Sequence, residues 1–308
     1  MRVLVTGREG QLARSLAERG AAIPGIVLET IGRPGLDFER PESIEAAIAA
    51  AAPDVVVNAA AYTAVDQAEA EPERAFRINA AAAGEVAAAA RRTGARFIQV
   101  STDYVFDGTG EGAYAETAPT RPLGVYGRSK LEGERQVAEA NPDHVVLRTA
   151  WVYGAHGRNF VKTMLGAAAQ RDELAVVSDQ RGNPTASDDL ADGILVMVAA
   201  WRDRPRLGLG GTYHLAGTGE ASWFDFAGHI MAEAERLGCP SARVRPIGTE
   251  EWPTPAARPR NSMLDCARFE SDFGFRAPHW KRSSTKVIER LAGERHPGFG
   301  PGSVKTEG

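Results

Sequence analysis

Two cysteines in 308 residues, Cys239 and Cys266, supply neither a disulfide framework nor a thiolate cluster. Neither stands in the Cys-x-x-Cys pairing used by redox and zinc sites. Long apolar runs are also lacking: the most hydrophobic stretches are Ala-rich and fall well short of the roughly 20 residues a membrane-spanning helix needs. Nor is there an excess of one charge. With 36 Lys and Arg against 40 Asp and Glu, the formal net charge is −4. No block of basic residues offers a footprint for nucleic acid or an anionic membrane. A small, soluble partner is favoured, with no nucleic acid and no membrane. The amino-terminal MRVLVTG enters a strand-like run directly, without the charged, apolar and small-residue zones of a signal peptide. The expectation is a cytoplasmic protein.

What the chain does have is alternation. Arg2 to Thr6, Ile26 to Ile31, DVVVNAAA and RFIQVS read as strands, interleaved with helical patterns over Gln11 to Arg19, Pro41 to Ala51, about Glu73 to Arg92, and Arg128 to Ala140, before HVVLRTAW. Repeated βαβ units predict an α/β fold: a Rossmann-like doubly wound parallel sheet with helices on both faces. The wholly apolar third strand suits a sheet covered on both sides. After Val152 the alternation loosens, predicting a smaller mixed α/β carboxy-terminal substrate lobe. Residues 1–152 are expected to form mainly the dinucleotide-binding domain and 153–292 mainly the substrate lobe, with chain crossing between them. The Gly-, Pro- and charge-rich residues 293–308 read as a flexible tail.

VTGREGQLA places Gly7 and Gly10 between the first strand and its helix. Glycine lets the backbone turn sharply and approach a pyrophosphate, whose charge the free N–H groups of a helix start can hold. After the second strand, Gly32 and Arg33 stand where an acidic residue would bind the adenosine ribose. Arg33, with Arg8 from the glycine turn, suits a 2′-phosphate and favours NADPH. If the strand ends two residues earlier, Glu29 takes the ribose and NADH is equally suited.

Tyr126 and Lys130 in VYGRSK are four apart and share one face of a helix. Alone, such a pair is more often surface decoration. Here Thr102, in VSTDYVFDG, falls at the carboxyl end of the fourth strand, the side where open α/β sheets bind ligands. A cationic Lys130 close to Tyr126 is expected to favour the phenolate and ease proton transfer to a carbonyl oxygen receiving hydride. Thr102 supplies a second donor to that oxygen. Tyr126, Lys130 and Thr102 are therefore the candidate catalytic residues, with Lys130 also holding the nicotinamide ribose.

TGREGQLA, PDVVVNAAAYTAVDQAE, STDYVFDG, VYGRSKLEGE, LRTAWVYG, DQRGNPT and WPTPAARPRNS, in this order, resemble the extended short-chain dehydrogenase/reductase family, in particular its reductases of dTDP-linked 4-keto sugars. The resemblance implies NAD(P)H-dependent reduction at C4 of a nucleotide sugar. It also implies further roles: Gln11 and Leu12 with Gly10 at the pyrophosphate, Asp37 and Phe38 at the adenine edge, and Ala61, Tyr62 and Thr63 at the cofactor ribose. Asp103, Trp151 and Arg258 are implied sugar-nucleotide contacts. Some members bind magnesium through glutamates at a dimer interface; at those positions this chain has Ser15, Asp188 and Arg290, and an arginine would repel the cation. No metal is expected, and a monomer or weak homodimer. A 4,6-dehydratase would need an Asp-Glu pair after the threonine, and Thr102 is instead followed by Asp103 and Tyr104. An epimerase of the same fold and a noncatalytic regulatory subunit remain the rival classes.

Overall fold

The computed structural model describes residues 1–294. Its large sheet contains β1 (Arg2–Thr6), β2 (Val27–Ile31), β3 (Val55–Asn58), β4 (Arg96–Thr102) and β5 (His144–Thr149). These five stand in the order β5-β4-β3-β1-β2, every neighbouring pair parallel. Strand alternation divides the core. Val3, Val5, Val55, Val57 and Ile98 face one hydrophobic cluster, while Leu4, Val56 and Phe97 face the other. This period of two with apolar residues on both sides is what a parallel sheet covered by helices requires.

One face is covered by α1 (Gln11–Gly20), through Leu12 and Leu16. The opposite face is covered by α2 (Pro41–Ala51), through Ile44 and Ile48. Leu16 is wholly buried, and its truncation to Ala would cost about 2–5 kcal/mol. The chain then runs through α3 (Val65–Ala70) to α4 (Pro72–Phe76), a π-helical turn at Arg77–Ala81 and α5 (Ala82–Arg92). A single helix was expected over this last stretch. The wider π turn swings buried Asn79 so that it accepts from the Tyr62 N–H at 2.8 Å and donates to the Tyr62 carbonyl and Ser129 Oγ, both at 3.0 Å. Such bulges concentrate at functional sites because they re-aim one side chain. The buried alanines of α5 leave room for α6 (Val125–Ala140) to pack close by.

That helix begins three residues before the expected Arg128, because Gly124 is extended (φ −115°, ψ 174°) and serves as its N-cap. Tyr126 is therefore its second residue.

Beyond β5, the short β6 (Val152–Tyr153) leads to α7 (Phe160–Ala168) and β7 (Glu173–Val177), and then to β8 (Arg181–Gly182) and β9 (Thr185–Ala186). The chain crosses back at α8 (Ser187–Ala200), which packs on α1, and β10 (Gly211–His214), which extends the large sheet beside β5 in parallel. It crosses again through β11 (Ala221–Ser222) into α9 (Trp223–Arg236) and β12 (Arg243–Ile247). Then α10 (Ala267–Phe273) returns to the first core and α11 (Trp280–Gly293) closes the second. The second core gathers Tyr153, Leu165, Phe226, Trp280 and Ile288. Gly293, the first residue of the expected tail, ends α11, and the tail past Glu294 lies outside the described residues.

Candidate active site

The site lies at the carboxyl ends of β1, β3 and β4, where strand order reverses between β1 and β3, the place an open α/β sheet reserves for ligands. Gly7 leaves β1 at φ +94°, a conformation an L side chain rarely takes, and its N–H bonds the Ile31 carbonyl at 2.7 Å. That bond sets the end of β2 level with the glycine turn. Glu29 sits mid-strand opposite Leu4, away from the strand end, whereas Gly32 and Arg33 follow directly. A Cβ at Gly32 would meet the Arg8 stem at 3.2 Å, so Arg8 overlies this corner. Gly10 caps α1, nothing lies within 4 Å of the Cβ it lacks, and the first turn carries no acidic residue. The turn thus exposes free N–H groups to an approaching anion.

Other predicted cofactor residues divide by what their side chains do. Leu12 and Phe38 belong to the core, 7% and 8% exposed, so only backbone or ring-edge contacts are open to them. The Gln11 side chain turns toward the second lobe, accepting from Asn159 Nδ2 at 3.0 Å. Asp37 accepts from the Glu39 N–H at 3.0 Å, shaping the turn before α2. Ala61 is half-buried and Thr63 exposed. Tyr62 between them is locked by Asn79 and by its hydroxyl on Glu71 at 3.1 Å.

Thr102 ends β4 in extended conformation, buried; its hydroxyl accepts from the Tyr104 N–H at 3.2 Å and donates to Asp103 Oδ1 at 3.0 Å. Burial pushes the Tyr126 phenol up to about 12, with the Thr102 hydroxyl pulling the other way and the Asp103 charge adding to the rise. Burial likewise brings Lys130 down to about 8, partly opposed by Glu134. The expected lowering of Tyr126 by Lys130 does not occur here. Lys130 is absent from the groups that shift Tyr126, and one of its N–H groups donates to the Val100 carbonyl, 2.7 Å from Nζ, so Tyr126 keeps its phenolic proton. Glu134 is itself clamped, accepting from Ser101 Oγ at 2.5 Å and from Arg148 Nε and Nη2 at 2.9 and 2.7 Å. Breaking this buried pair from one side would cost about 3–5 kcal/mol.

Asp103 is buried, and its Oδ2 has no hydrogen-bond partner. Desolvation raises its carboxyl to about 6, with Ser262 and Thr102 offsetting part of the rise. Ser262 Oγ also accepts from Trp151 Nε1 at 3.1 Å. Trp151 has φ +48°, rare for a bulky residue, and stacks on Trp223 with centroids 3.6 Å apart. Strain of this kind persists where surroundings over-determine it. Arg258, expected at the sugar nucleotide, is already paired within the protein. Both terminal nitrogens of its guanidinium bond Asp66 at 2.7 Å, and Nη1 also donates to the Ala256 carbonyl at 2.7 Å.

Sequence reasoning missed Asp66, Glu69, Ser262 and Trp223. The first three lay inside motifs already noticed, VDQAE and RPRNS, and no local periodicity reveals partners more than fifty residues away.

A doubly wound parallel sheet, a glycine turn at its first βα junction and a threonine, tyrosine and lysine at its carboxyl edge define a Rossmann-type reductase of the short-chain dehydrogenase class. The chain belongs to the family described as the RmlD substrate binding domain, whose model matches residues 1–292. It is 44% identical to the dTDP-4-dehydrorhamnose reductase of Sinorhizobium fredii (strain NBRC 101917 / NGR234), over 94% of this chain and 98% of that one. The enzyme of the same name from Escherichia coli (strain K12) is 40% identical with the same coverage. Among solved structures, the dTDP-4-dehydrorhamnose reductase of Bacillus anthracis in complex with NADP superimposes with a TM-score of 0.86. It is 35% identical, covering 94% of this chain and 99% of that one.

Proposed function

We propose that the protein reduces the C4 ketone of dTDP-4-dehydro-β-L-rhamnose to give dTDP-β-L-rhamnose, with NADPH as reductant, as the last step in making that activated sugar. The observation that carries this reading is the convergence of Thr102, neutral Tyr126 and Lys130 at the end of β4, beside the buried, half-satisfied carboxyl of Asp103. The names of the relatives and the NADP in the Bacillus neighbour support it.

The glycine turn and the exposed Arg33 beside the Arg8 stem fit a dinucleotide with a 2′-phosphate. NADPH supplies the hydride when bound. Gly7, Gly10 and the start of α1 hold the pyrophosphate, and Ala61, Tyr62 and Thr63 the ribose region. Tyr126 keeps its proton until negative charge develops on the ketone oxygen, then donates it, while Lys130 carries positive charge behind it. Thr102 turns its one hydroxyl hydrogen from Asp103 Oδ1 to the same oxygen; removing one such donor costs about 10²–10³ in rate. The unpartnered Asp103 Oδ2 is a ready acceptor for a sugar hydroxyl, and Trp151, braced by Trp223, forms a wall for the sugar. A dehydratase would need a second carboxylate beside Asp103. Tyr104 stands there instead, its phenol pushed well above the usual range by burial.

We also propose a cytoplasmic monomer or weak homodimer without a metal bridge: Arg290 places a guanidinium between Glu18, at 2.9 Å, and Glu294, at 2.8 Å. No helix among the described residues is long and apolar enough to cross a membrane. The test is cofactor oxidation with dTDP-4-dehydrorhamnose and product analysis, comparing NADPH with NADH. Formation of dTDP-rhamnose, faster with NADPH, supports the reading. A folded, cofactor-binding protein that leaves this substrate untouched contradicts it.

A further inference from the structure

We infer that Glu69 is a positioning residue for the reduction: its carboxylate fixes the first turn of α6 and, through that turn, the Tyr126 phenol. The catalytic part of this inference rests on the function proposed above.

The helix that carries Tyr126 starts without a cap of its own. Its N-cap is Gly124, which offers no side-chain acceptor where Ser, Thr, Asp or Asn would normally stand. The missing acceptor comes from α3, 56 positions earlier: Glu69 Oε1 accepts from the Val125 N–H at 2.7 Å. A carboxylate here also meets the positive end of the helix dipole. Gly124 is the opening through which it reaches, since a Cβ there would lie 2.6 Å from Glu69 Oε1. The turn is gripped from its other side as well. The Tyr104 carbonyl presses on Gly127 so closely that no Cβ would fit, and the Tyr104 ring meets Tyr126 edge-on at 5.6 Å. Tyr126 thus sits between two anchors. One of them, Glu69, belongs to the segment that follows the cofactor-ribose residues Ala61 to Thr63.

Without the cap, the first turn of α6 can fray while the rest of the helix, buried along Ser129, Gly133 and Val137, stays packed. A displacement of about 1 Å at a reacting group costs on the order of 10² in rate. Glu69→Ala should therefore lower kcat by about 10- to 100-fold. KM for the nucleotide sugar and NADPH affinity should change by less than about threefold, because Lys130 lies on the buried second turn of α6 and the other contacts are made off this helix. Glu69→Gln keeps an acceptor oxygen and should recover most of the loss. Gly124→Ser should be harmful alone, as its side chain collides with Glu69. In the Glu69→Ala background the same serine should cap the helix locally and raise kcat, reversing its sign.

The experiment combines kinetics of these four variants with amide hydrogen exchange over residues 124–130. Faster exchange in Glu69→Ala, a selective fall in kcat and rescue by Gly124→Ser are expected. Unchanged exchange overturns the inference, as does accelerated exchange with normal kcat, or a uniform loss of kcat, KM and cofactor binding without rescue. If the unmodified protein itself does not reduce the nucleotide sugar, the proposed function fails; exchange still decides whether Glu69 holds the turn.

Discussion

Asp66 and Arg258, 192 positions apart, form a two-pronged ion pair with both nitrogen–oxygen distances at 2.7 Å, and Asp66 also accepts from the Ala256 N–H at 3.2 Å. The pair pins the loop that ends in Ser262 to α3, so the proposed substrate wall around Asp103 and Trp151 inherits its position from that helix. Lysine carries the same charge without the fork. Arg258→Lys should raise KM for the nucleotide sugar about tenfold, roughly the 1.4 kcal/mol of one charge-assisted hydrogen bond, with NADPH binding unchanged. Steady-state kinetics with a separate cofactor titration checks this.

Arg33 is exposed at the corner that Arg8 overlies. Arg33→Ala should weaken NADPH binding by about 10-fold or more while leaving NADH within about twofold, as expected for loss of a phosphate contact absent from NADH. Fluorescence titration with both cofactors measures it. Equal losses for the two would place Arg33 away from the 2′-phosphate.

Asp103 offers a pH signature. Its carboxyl is raised from 3.8 to about 6 by burial, so the folded state binds the proton more tightly than the unfolded one. The stability this gives is fully present below about pH 4 and is lost as pH rises through about 6. Asp103→Asn should remove that slope. Relative to the parent, the variant should gain stability between pH 4 and 7, by an amount on the order of 2–3 kcal/mol. Denaturant unfolding of both proteins at the two pH values checks the sign.

Lys130 is brought down to about 8. In the proposed reaction its positive charge supports the developing alkoxide, so kcat for ketone reduction should fall as pH rises through about 8. The pH–rate profile tests this; a flat profile to pH 10 would mean that the charge of Lys130 does not matter.

Much of this was legible in the sequence, for reasons that can be named. Val55, Val56 and Val57 follow one another in β3 because both sheet faces are covered, and Gly7 is a glycine because φ +94° demands one. The second-strand end fell where Gly32 and Arg33 required. Local pattern could not show that a π turn interrupts the helix at Asn79, which bonds Tyr62, that α6 starts at Val125 on a carboxylate from α3, or that Arg258 is already engaged. Each depends on a partner more than 15 residues distant. The Lys130 ammonium bonding Val100 rather than acting on Tyr126 is of the same kind, because the depth of burial outweighed the spacing of the pair.

The central claim is that Tyr126 delivers the proton to the C4 oxygen. The most direct measurement compares the parent protein with Tyr126→Phe in dTDP-4-dehydrorhamnose reduction, following NADPH oxidation and dTDP-rhamnose formation, with NADPH affinity measured alongside. The account predicts a fall in kcat of about 10²–10⁴ with cofactor affinity kept within about threefold. Near-normal turnover by Tyr126→Phe would contradict it.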